Sequence, residues 1–290
     1  MPHIHPTENS YFLDQESAAE MARLLAQDLT TTRHMGGLLP ADIDHSTIHD
    51  ILDIASGPGG WVQEVAFAYP NKRVIGIDIS HAMLSYARAQ VAVQGLDNAH
   101  FLYMDATSPL RFPDASFDMV NARFLLGFMW KEAWPKLITE CMRITRPGGI
   151  IRLTEADTLG ADITNSVALE KINRMFMKAF YRTGRSFYPH EDGNHLALTP
   201  MLRQFLEQGG CHLIREVPYL NNYSANTPDH ASTSKNLQVV VKLGQPFLLK
   251  LNIATATELE SLYQQMIDEL ESEHFRGIAR FTSAYGQKPI

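Results

Sequence analysis

The sequence lacks the features that mark several common classes of protein. Its two cysteines, Cys141 and Cys211, lie far apart and form no metal-binding or redox spacing. No apolar run approaches the ~18 residues that cross a bilayer, and the N-terminal segment carries acids and polar residues instead of a signal-peptide core. We therefore expect a cytoplasmic protein with buried, reduced thiols and no contact with a membrane.

Positive charge is also scarce. Lys and Arg number 25 against 32 Asp and Glu, so the formal net charge is -7. Since a general nucleic-acid binder normally carries a basic surface, this balance disfavours a nucleic-acid partner and favours a small-molecule substrate, although a local basic patch stays open. At 290 residues, the chain is long enough for one α/β domain with helical additions.

Metal-binding patterns are weak. His45 and His49 are four residues apart, and His3 and His5 alternate, but no Glu follows in the pattern of zinc proteases. We expect no structural metal, and a catechol-type magnesium site stays open as an alternative.

A glycine-rich turn follows the first apolar run. Residues 51–60 read ILDIASGPGG, which predicts a buried strand ending near Asp53 and a helix whose N-terminal amides face a ligand. A second strand-like run, 73–77, ends in Asp78, at about the 20-residue offset where an acid accepts hydrogen bonds from ribose hydroxyls. The two motifs together predict a nucleoside-binding site.

The turn lacks what other nucleotide sites require. Counting from Gly57, the sixth position is Val62 instead of the third glycine of the dinucleotide pattern, which disfavours NAD and FAD. No Gly-Lys-Ser or Gly-Lys-Thr follows the glycines, and the next basic residue is Lys72, which disfavours ATP. A ligand with ribose and adenine but no phosphates fits carboxylates better, and S-adenosylmethionine has that chemistry.

These segments resemble the class I S-adenosylmethionine-dependent methyltransferases, and within them the branch of quinone-biosynthesis and natural-product C-methyltransferases. The resemblance covers about residues 45–155. Four matched segments carry it: residues 53–60, 74–80, 104–106 and 146–149. Ala55 departs from the pattern, since it stands where the family usually has its first glycine, and we expect only a slight change in how the backbone approaches the cofactor.

The resemblance implies roles for residues at the ends of four strands. Asp53 and the amides near Gly57 and Gly59 would hold the methionine end of the cofactor, Asp78 the ribose, and Asp105 the adenine amino group. The other implied contacts are Ala55, Ile79, Met83, Ala106, Asn121, Ala122 and Arg123. A lone Asp is more commonly a helix cap or a turn residue, but four motifs in the right order favour the cofactor site.

Alternating strands and helices predict the α/β class. The expected fold is a Rossmann-like, seven-stranded, mostly parallel sheet with an antiparallel final strand, N-terminal helices and a helical cap insertion. The predicted strands are 50–54, 73–77, 100–104, 116–120, 149–155, 212–218 and 277–286. The predicted units are a lid (1–45), a cofactor-binding core (46–160), a helical cap that contacts the substrate (161–210 and 228–273), and the remaining core strands (211–227 and 274–290).

Two further segments have a clear pattern. Residues 10–30 predict an amphipathic helix that covers the cofactor or simply packs on the core, and that is also able to join two subunits. Its apolar side comprises Ala18, Met21, Ala22, Leu25 and Leu29. Residues 237–241 contain three consecutive valines, which favour a strand, yet we place them in a helix because 277–286 resembles the final strand of the family.

The acceptor pocket is expected above the ends of the fourth and fifth strands, beneath the helical additions. Aromatic and apolar residues in the cap favour a flat, apolar or aromatic acceptor, and plain core packing is the alternative for each of them. They are Phe176, Met177, Phe180, Tyr181, Phe187 and Tyr188. A natural product or a quinone-like precursor fits this pocket, with carbon favoured over oxygen as the methylated atom.

Catalysis requires positioning and, for a phenol or an activated carbon, a base. Glu155 and Asp157 follow the fifth strand and His190 lies in the cap; Glu155 has the better position, and a solvated surface histidine is the favoured interpretation of His190. Tyr11 is placed to contact the sulfonium through a cation-π interaction. A cofactor-binding protein that does not methylate, either a cyclase-type enzyme or a regulatory subunit, stays open as the alternative.

Overall fold

A mixed β-sheet forms the centre of the computed structural model, which describes residues 11–14 and 16–290. Its strands are β1 Asp50–Ile54, β2 Arg73–Asp78, β3 Ala99–Tyr103, β4 Phe117–Arg123, β5 Thr145–Ala156, β6 Ile163–Thr164, β7 His212–Asn222 and β8 Gly277–Gln287. The α-helices are α1 Ala18–His34, α2 Gly60–Ala68, α3 His81–Gln94, α4 Trp134–Ile144, α5 Val167–Arg182, α6 Met201–Gly209, α7 His230–Lys250 and α8 Ala256–Glu271.

The strand order is β3-β2-β1-β4-β5-β8, with β7 on the far side of β8. Strands β1 to β5 run parallel, whereas β8 is antiparallel to both β5 and β7. The predicted α/β class, the seven strands and the antiparallel final strand are therefore confirmed. The structure adds β6, a two-residue strand that pairs with the start of β8 and is too short to leave a pattern in the sequence.

The strand order reverses between β1 and β4, since β1 pairs in parallel with β2 on one side and with β4 on the other. Chain connections from these strands leave in opposite directions, so a crevice opens at their carboxyl ends. Successive side chains of a strand point to opposite faces of the sheet. Ile51 accordingly packs with α2 and α3, and Leu52 packs with the apolar cluster on the other face.

Helices α3 and α8 each begin at a hydroxyl side chain that caps the first turn. The Ser80 hydroxyl accepts a hydrogen bond from the Met83 amide at the start of α3, and Thr255 accepts one from Glu258 at the start of α8. The three-valine segment lies inside α7, as predicted, since Leu237, Val240 and Val241 are buried at helical spacing. Burial of one helical face therefore outweighs the strand propensity of valine. Cys141 and Cys211 are both buried thiols.

The prediction for α1 is wrong about which face packs inward. Ala18 and Ala22 are exposed and Leu29 is 60% exposed, whereas Glu20 and Arg23 are buried. Burial of these charges is tolerated because they pair with each other, with an Arg23 to Glu20 distance of 2.6 Å. Association of subunits through α1 stays a prediction. No helix in the described part of the chain has the length and apolar character needed to span a bilayer.

Candidate active site

A cavity of about 470 Å³ opens at the carboxyl ends of β1, β2, β3 and β4. All of the predicted cofactor contacts line it except Gly59, Asn121 and Ala122. The predicted residues on its wall are Asp53, Ala55, Gly57, Asp78, Ile79, Met83, Asp105, Ala106, Arg123 and Tyr11. The structure thus brings together residues that are up to 112 positions apart in the sequence, from Tyr11 to Arg123.

The turn after β1 is held against the end of β2. The Ser56 amide donates to the Ile77 carbonyl over 2.9 Å, and the Gly57 amide donates to Oδ2 of Asp78 over 2.8 Å. The other oxygen of Asp78 accepts from the Ser80 amide over 2.8 Å. Burial raises the pKa of Asp78, although both amides oppose this shift. Two rigid backbone donors therefore aim this carboxylate into the cavity.

Asp53 is supported by a row of polar side chains across the sheet. Asp53 on β1 lies opposite Asn121 on β4, which lies opposite Arg152 on β5. Asn121 Nδ2 donates to Asp53 Oδ1 over 2.6 Å, and Arg152 Nε donates to Asn121 Oδ1 over 2.7 Å. Asn121 is fully buried and does not line the cavity, so its structural role is to orient Asp53. Burial raises the pKa of Asp53 to about 7, despite the opposing charge of Arg123.

Arg123 supplies the positive charge of the cavity. Its Nη2 atom bonds Asp28 of α1 over 2.8 Å, and its guanidinium carbon lies 5.5 Å from the centroid of the Trp61 ring. Its buried Nη1 atom has no hydrogen-bond partner among the described residues. An unpaired buried donor on a cavity wall fits a negatively charged ligand group. Asp28 and Arg152 were not predicted from the sequence, because neither belongs to a motif of the cofactor turn.

The far end of the cavity combines a carboxylate with apolar walls. Asp105 Oδ1 accepts from the amide and hydroxyl of Thr107 over 2.8 and 2.7 Å, which fixes its orientation. Ile79 is 38% exposed in the structure, although it is a large apolar residue. Together with Met83 and Ala106, it offers a flat apolar surface next to the carboxylate. This arrangement fits an adenine ring with its amino group at Asp105.

Gly59 has a packing role that differs from the predicted contact with the cofactor. A Cβ atom at this position would lie 2.4 Å from the Phe101 ring, and the backbone has φ of +78°. Its amide already donates to the Ser56 carbonyl over 3.0 Å. Glycine is therefore required here for α2 to approach β3, and Gly59 does not line the cavity.

The predicted bases are not brought to a cavity. The Glu155 carboxylate is buried and accepts the amides of Leu125 and Leu126 over 2.6 and 3.3 Å, so it anchors the turn after β4. Burial raises its pKa well above the usual value. Asp157 accepts the amide of Leu198 over 2.6 Å and holds the loop before α6. His190 is exposed, and none of these three acids and bases lines either cavity.

Tyr11 lies where the main cavity meets a second cavity of about 170 Å³, and it lines both. Its hydroxyl donates to Oε1 of Glu20 over 2.7 Å, and Glu20 is paired with Arg23. The ring packs against Gly127, where a Cβ atom would lie 2.5 Å from it. Of the three predicted catalytic residues, Tyr11 is therefore the one that the structure places at a cavity.

The aromatic cap residues do not line either cavity. Phe176, Met177 and Phe180 are buried in the main apolar cluster, where Phe180 packs edge-on against Phe12 with ring centroids 5.1 Å apart. These three residues therefore pack in the core, which was the alternative to a role in binding the acceptor. The second cavity is lined instead by α1, α7 and the ends of β5 and β8.

The segment before and within α1 forms part of the wall of the main cavity. The Ser80 hydroxyl donates to Glu16 over 2.8 Å, and Asp28 binds Arg123 on the opposite wall. Arg23 Nη1 donates to Asn236 of α7 over 3.0 Å. Residues 16–28 therefore bridge the strand ends and α7. Within residues 11–14 and 16–290, no cluster of three or more His, Cys, Asp or Glu side chains is arranged to hold a metal ion.

Residues 51–149 match a family of methyltransferase domains. This stretch contains β1 to β4, the glycine turn and the acids of the main cavity. The core of the chain is a class I S-adenosylmethionine-dependent methyltransferase domain. The resemblance inferred from the sequence motifs is confirmed.

Curated relatives match part of the chain. Demethylmenaquinone methyltransferase of Thermus thermophilus is 35% identical over 105 residues, which are 36% of this chain and 46% of that protein. Malonyl-[acyl-carrier protein] O-methyltransferase of Legionella pneumophila is 31% identical over 112 residues, which are 39% of this chain and 37% of that protein. The chain spans less than half the length of these relatives, and their names give different acceptors. Identity to these relatives thus covers only part of this chain.

The fold as a whole is also similar to a solved methyltransferase. Phosphoethanolamine N-methyltransferase 2 of Haemonchus contortus superimposes with a TM-score of 0.55 and 18% identity, over 99% of this chain and 62% of that chain. That structure contains S-adenosylhomocysteine and phosphomonomethylethanolamine. The likeness extends the shared fold to the strands and helices after residue 149.

Proposed function

We propose that this protein transfers the methyl group of S-adenosylmethionine to a small, largely apolar acceptor, such as a natural product or a quinone-like precursor. The observation that carries the proposal is the meeting of two cavities at Tyr11. One has the carboxylates that suit a nucleoside with a charged amino-acid tail, and the other is mainly apolar. The relative named for demethylmenaquinone supports the acceptor class.

The main cavity has a residue for each polar part of the cofactor. Asp53 and the unpaired Nη1 of Arg123 would hold the ammonium and carboxylate of the methionine end. Asp78 would accept from the ribose hydroxyls, and Asp105 from the adenine amino group. We also propose that the segment up to α1 acts as a lid, since Glu16 and Asp28 contact opposite walls.

When bound, the cofactor supplies an electrophilic methyl group on a sulfonium. The task of the protein is then to hold the acceptor in line with that methyl group, because correct orientation accounts for much of the acceleration of a displacement reaction. Tyr11, Leu24, Gln27 and Phe124 line both cavities and surround the point of transfer. These four residues are the ones that would align the two reactants and exclude water between them.

Tyr11 is also placed to move a proton. As the acceptor loses its proton to the Tyr11 oxygen, the Tyr11 proton would pass to Oε1 of Glu20, which lies 2.7 Å away. Burial raises the pKa of the Tyr11 phenol, so the residue stays protonated and acts only as a relay. No Asp or Glu lines the second cavity. An acceptor carbon activated by its own hydroxyl suits this weakly basic site, so we favour carbon over oxygen as the methylated atom.

The test uses methyl-labelled S-adenosylmethionine and a panel of naphthols and quinols, with products identified by the mass of one added methyl group. Wild-type protein should form methylated product. Tyr11→Phe should lower kcat by on the order of a hundredfold, as general acid-base groups do, while the Kd for S-adenosylhomocysteine stays within about twofold. Absence of cofactor binding in calorimetry would refute the proposed function.

Gly127→Ala provides an independent check on Tyr11. The new methyl group would lie 2.5 Å from the Tyr11 ring and displace it, so kcat should fall about tenfold or more. In a Tyr11→Ala background the same change should not lower kcat further, since the ring is already absent. Additive losses in the double variant would show that Gly127 acts by another route and that Tyr11 is not the group it positions.

A further inference from the structure

The second cavity lies between α1 and α7, next to the ends of β5 and β8. Most of its wall is apolar, and the wall comes from five separate parts of the chain. Its main apolar contributors are Phe12, Leu126, Leu237, Val240 and Phe281. Such a wall favours an apolar ligand, and the polar side chains on it decide which one.

The basic side chains on this wall each lie beside an acidic partner. Arg23 binds Glu20 over 2.6 Å, His34 Nε2 lies 3.2 Å from Asp229, and Arg280 Nε lies 3.5 Å from Asp162. No Asp or Glu is among the lining residues. A ligand anion would therefore compete with these acids for the three bases, and a ligand cation would face no carboxylate. Because burial of an unpaired charge is costly, the cavity favours an uncharged ligand.

One polar side chain on the wall has an unused acceptor. Asn221, at the end of β7, is 7% exposed. Its Nδ2 atom donates to the Thr233 hydroxyl of α7 over 3.0 Å, while its buried Oδ1 atom has no partner among the described residues. Both Asn221 and Thr233 line the cavity. A buried acceptor without a partner is unfavourable, so a ligand that brings a donor to it gains affinity.

We infer that the second cavity is the acceptor subsite, and that it selects an uncharged, mainly apolar molecule with a hydroxyl group that donates to Oδ1 of Asn221. The reacting end of this molecule would face the main cavity past Tyr11 and Phe124, which line both spaces. The inference rests on the proposed function, because the cavity is an acceptor subsite only if the protein transfers a methyl group. Binding itself can be measured without any turnover.

The probes are 2-naphthol, which carries a hydroxyl donor, and 2-methoxynaphthalene, which does not. With protein saturated with S-adenosylhomocysteine, 2-naphthol should bind about tenfold more tightly, since one hydrogen bond to a buried acceptor separates the two probes. Asn221→Leu should abolish this preference. The matched control is Asn173→Leu, because Asn173 is also buried with an unpaired Oδ1 atom but lines neither cavity; this variant should retain the tenfold preference.

A pair of adjacent valines tests the location. Val240 and Val241 of α7 are 3% and 4% exposed, but only Val240 lines the cavity. Val240→Phe should therefore weaken both naphthalene probes by tenfold or more, and Val241→Phe should leave their affinities unchanged. Thermal unfolding of each variant shows whether it is folded, and Asn221→Leu serves as the test if the larger residues are not tolerated.

Three outcomes would overturn the inference. These are an undiminished preference for 2-naphthol in Asn221→Leu, tighter binding of 2-naphthyl phosphate than of 2-naphthol, and no detectable binding of either naphthalene probe. Calorimetry with S-adenosylhomocysteine is run separately for every variant. Normal cofactor affinity with failed probe binding rejects the subsite alone, whereas probe binding without cofactor binding rejects the proposed function and leaves the pocket in place.

Discussion

The two cavities that meet at Tyr11 are built in different ways. Most polar residues of the main cavity lie at or just beyond the carboxyl ends of β1, β2, β3 and β4, and most of these belong to short motifs. The second cavity takes its wall from residues scattered between Tyr11 and Phe281, and several of them belong to α1 and α7. A site at strand ends can thus be recognised from local sequence, while a site between helices depends on how those helices pack.

The two cavities also differ in how their polar groups are held. Asp78 is fixed by the backbone amides of Gly57 and Ser80, which are rigid and do not depend on side-chain identity. In the second cavity, Arg23 and Asn221 are held by other side chains, Glu20 and Thr233. The first arrangement suits a cofactor shared by many relatives, and the second is easily altered by substitution. Their responses to mutation should accordingly be separable.

The largest effect is expected for Asp78→Ala. This change removes the proposed ribose acceptor and the partner of the Gly57 amide, so the Kd for S-adenosylhomocysteine should rise by about a hundredfold or more. Calorimetry measures this Kd, and Asp97→Ala, at an exposed position, is the control. The affinity of the second cavity for 2-naphthol should stay unchanged. An equal loss at both sites would mean that the two cavities are not independent.

A smaller effect is expected from pH, through Asp53. Its pKa is raised to about 7, so below pH 7 the carboxyl is mostly protonated and cannot pair with the ammonium of the cofactor. The association constant for S-adenosylhomocysteine should therefore fall about tenfold per pH unit below 7 and level off above about pH 8.

Asp53→Asn is the control for this titration, since it keeps the shape but cannot ionise. Its affinity should be lower at pH 8 and should not follow the same curve. Because no carboxylate lines the second cavity, the preference for 2-naphthol over 2-methoxynaphthalene should not follow this titration either. A wild-type cofactor affinity that is flat from pH 6 to about 8 would remove Asp53 from the ammonium site.

The smallest effect is expected for Ala55→Gly. Ala55 has φ of +56°, where a Cβ atom costs roughly 1–2 kcal/mol. Glycine relieves this strain, but it also raises the conformational entropy of the unfolded chain, which costs about 0.4–1 kcal/mol of stability; the free energy of unfolding should therefore rise by no more than about 1.6 kcal/mol. Denaturant unfolding measures this free energy, with Ala92→Gly at an exposed position of α3 as a control that should lose about 1 kcal/mol.

The Kd for S-adenosylhomocysteine should change less than about threefold in Ala55→Gly, because the alanine methyl group replaces no hydrogen bond. This agrees with the expectation that Ala55 alters the approach of the backbone only slightly. A tenfold gain in cofactor affinity would instead show that the methyl group of Ala55 obstructs the ligand.

The strands and the cofactor motifs were accessible from the sequence because they depend on neighbouring residues. Runs such as 73–77 and 212–218 carry their own strand propensity, and β2 and β7 begin where these runs do. The acids of β1 and β2 and the acid after β3 lie near strand ends, and parallel strands bring their carboxyl ends to one edge of a sheet. The predicted parallel arrangement was therefore sufficient to expect Asp53, Asp78 and Asp105 in one cavity, where the structure has them.

The remaining features depend on contacts between segments far apart in sequence, which only the tertiary structure decides. Glu155 looked like a base, but two amides from the turn after β4 bind it. The helix α1 buries Glu20 and Arg23 because Tyr11 and α7 supply partners, so its apolar periodicity pointed to the wrong face. The unpaired oxygen of Asn221 exists only because β7 and α7 meet there. Polar groups that pair across the fold leave no pattern in the local sequence, because each pair depends on both of the segments that meet.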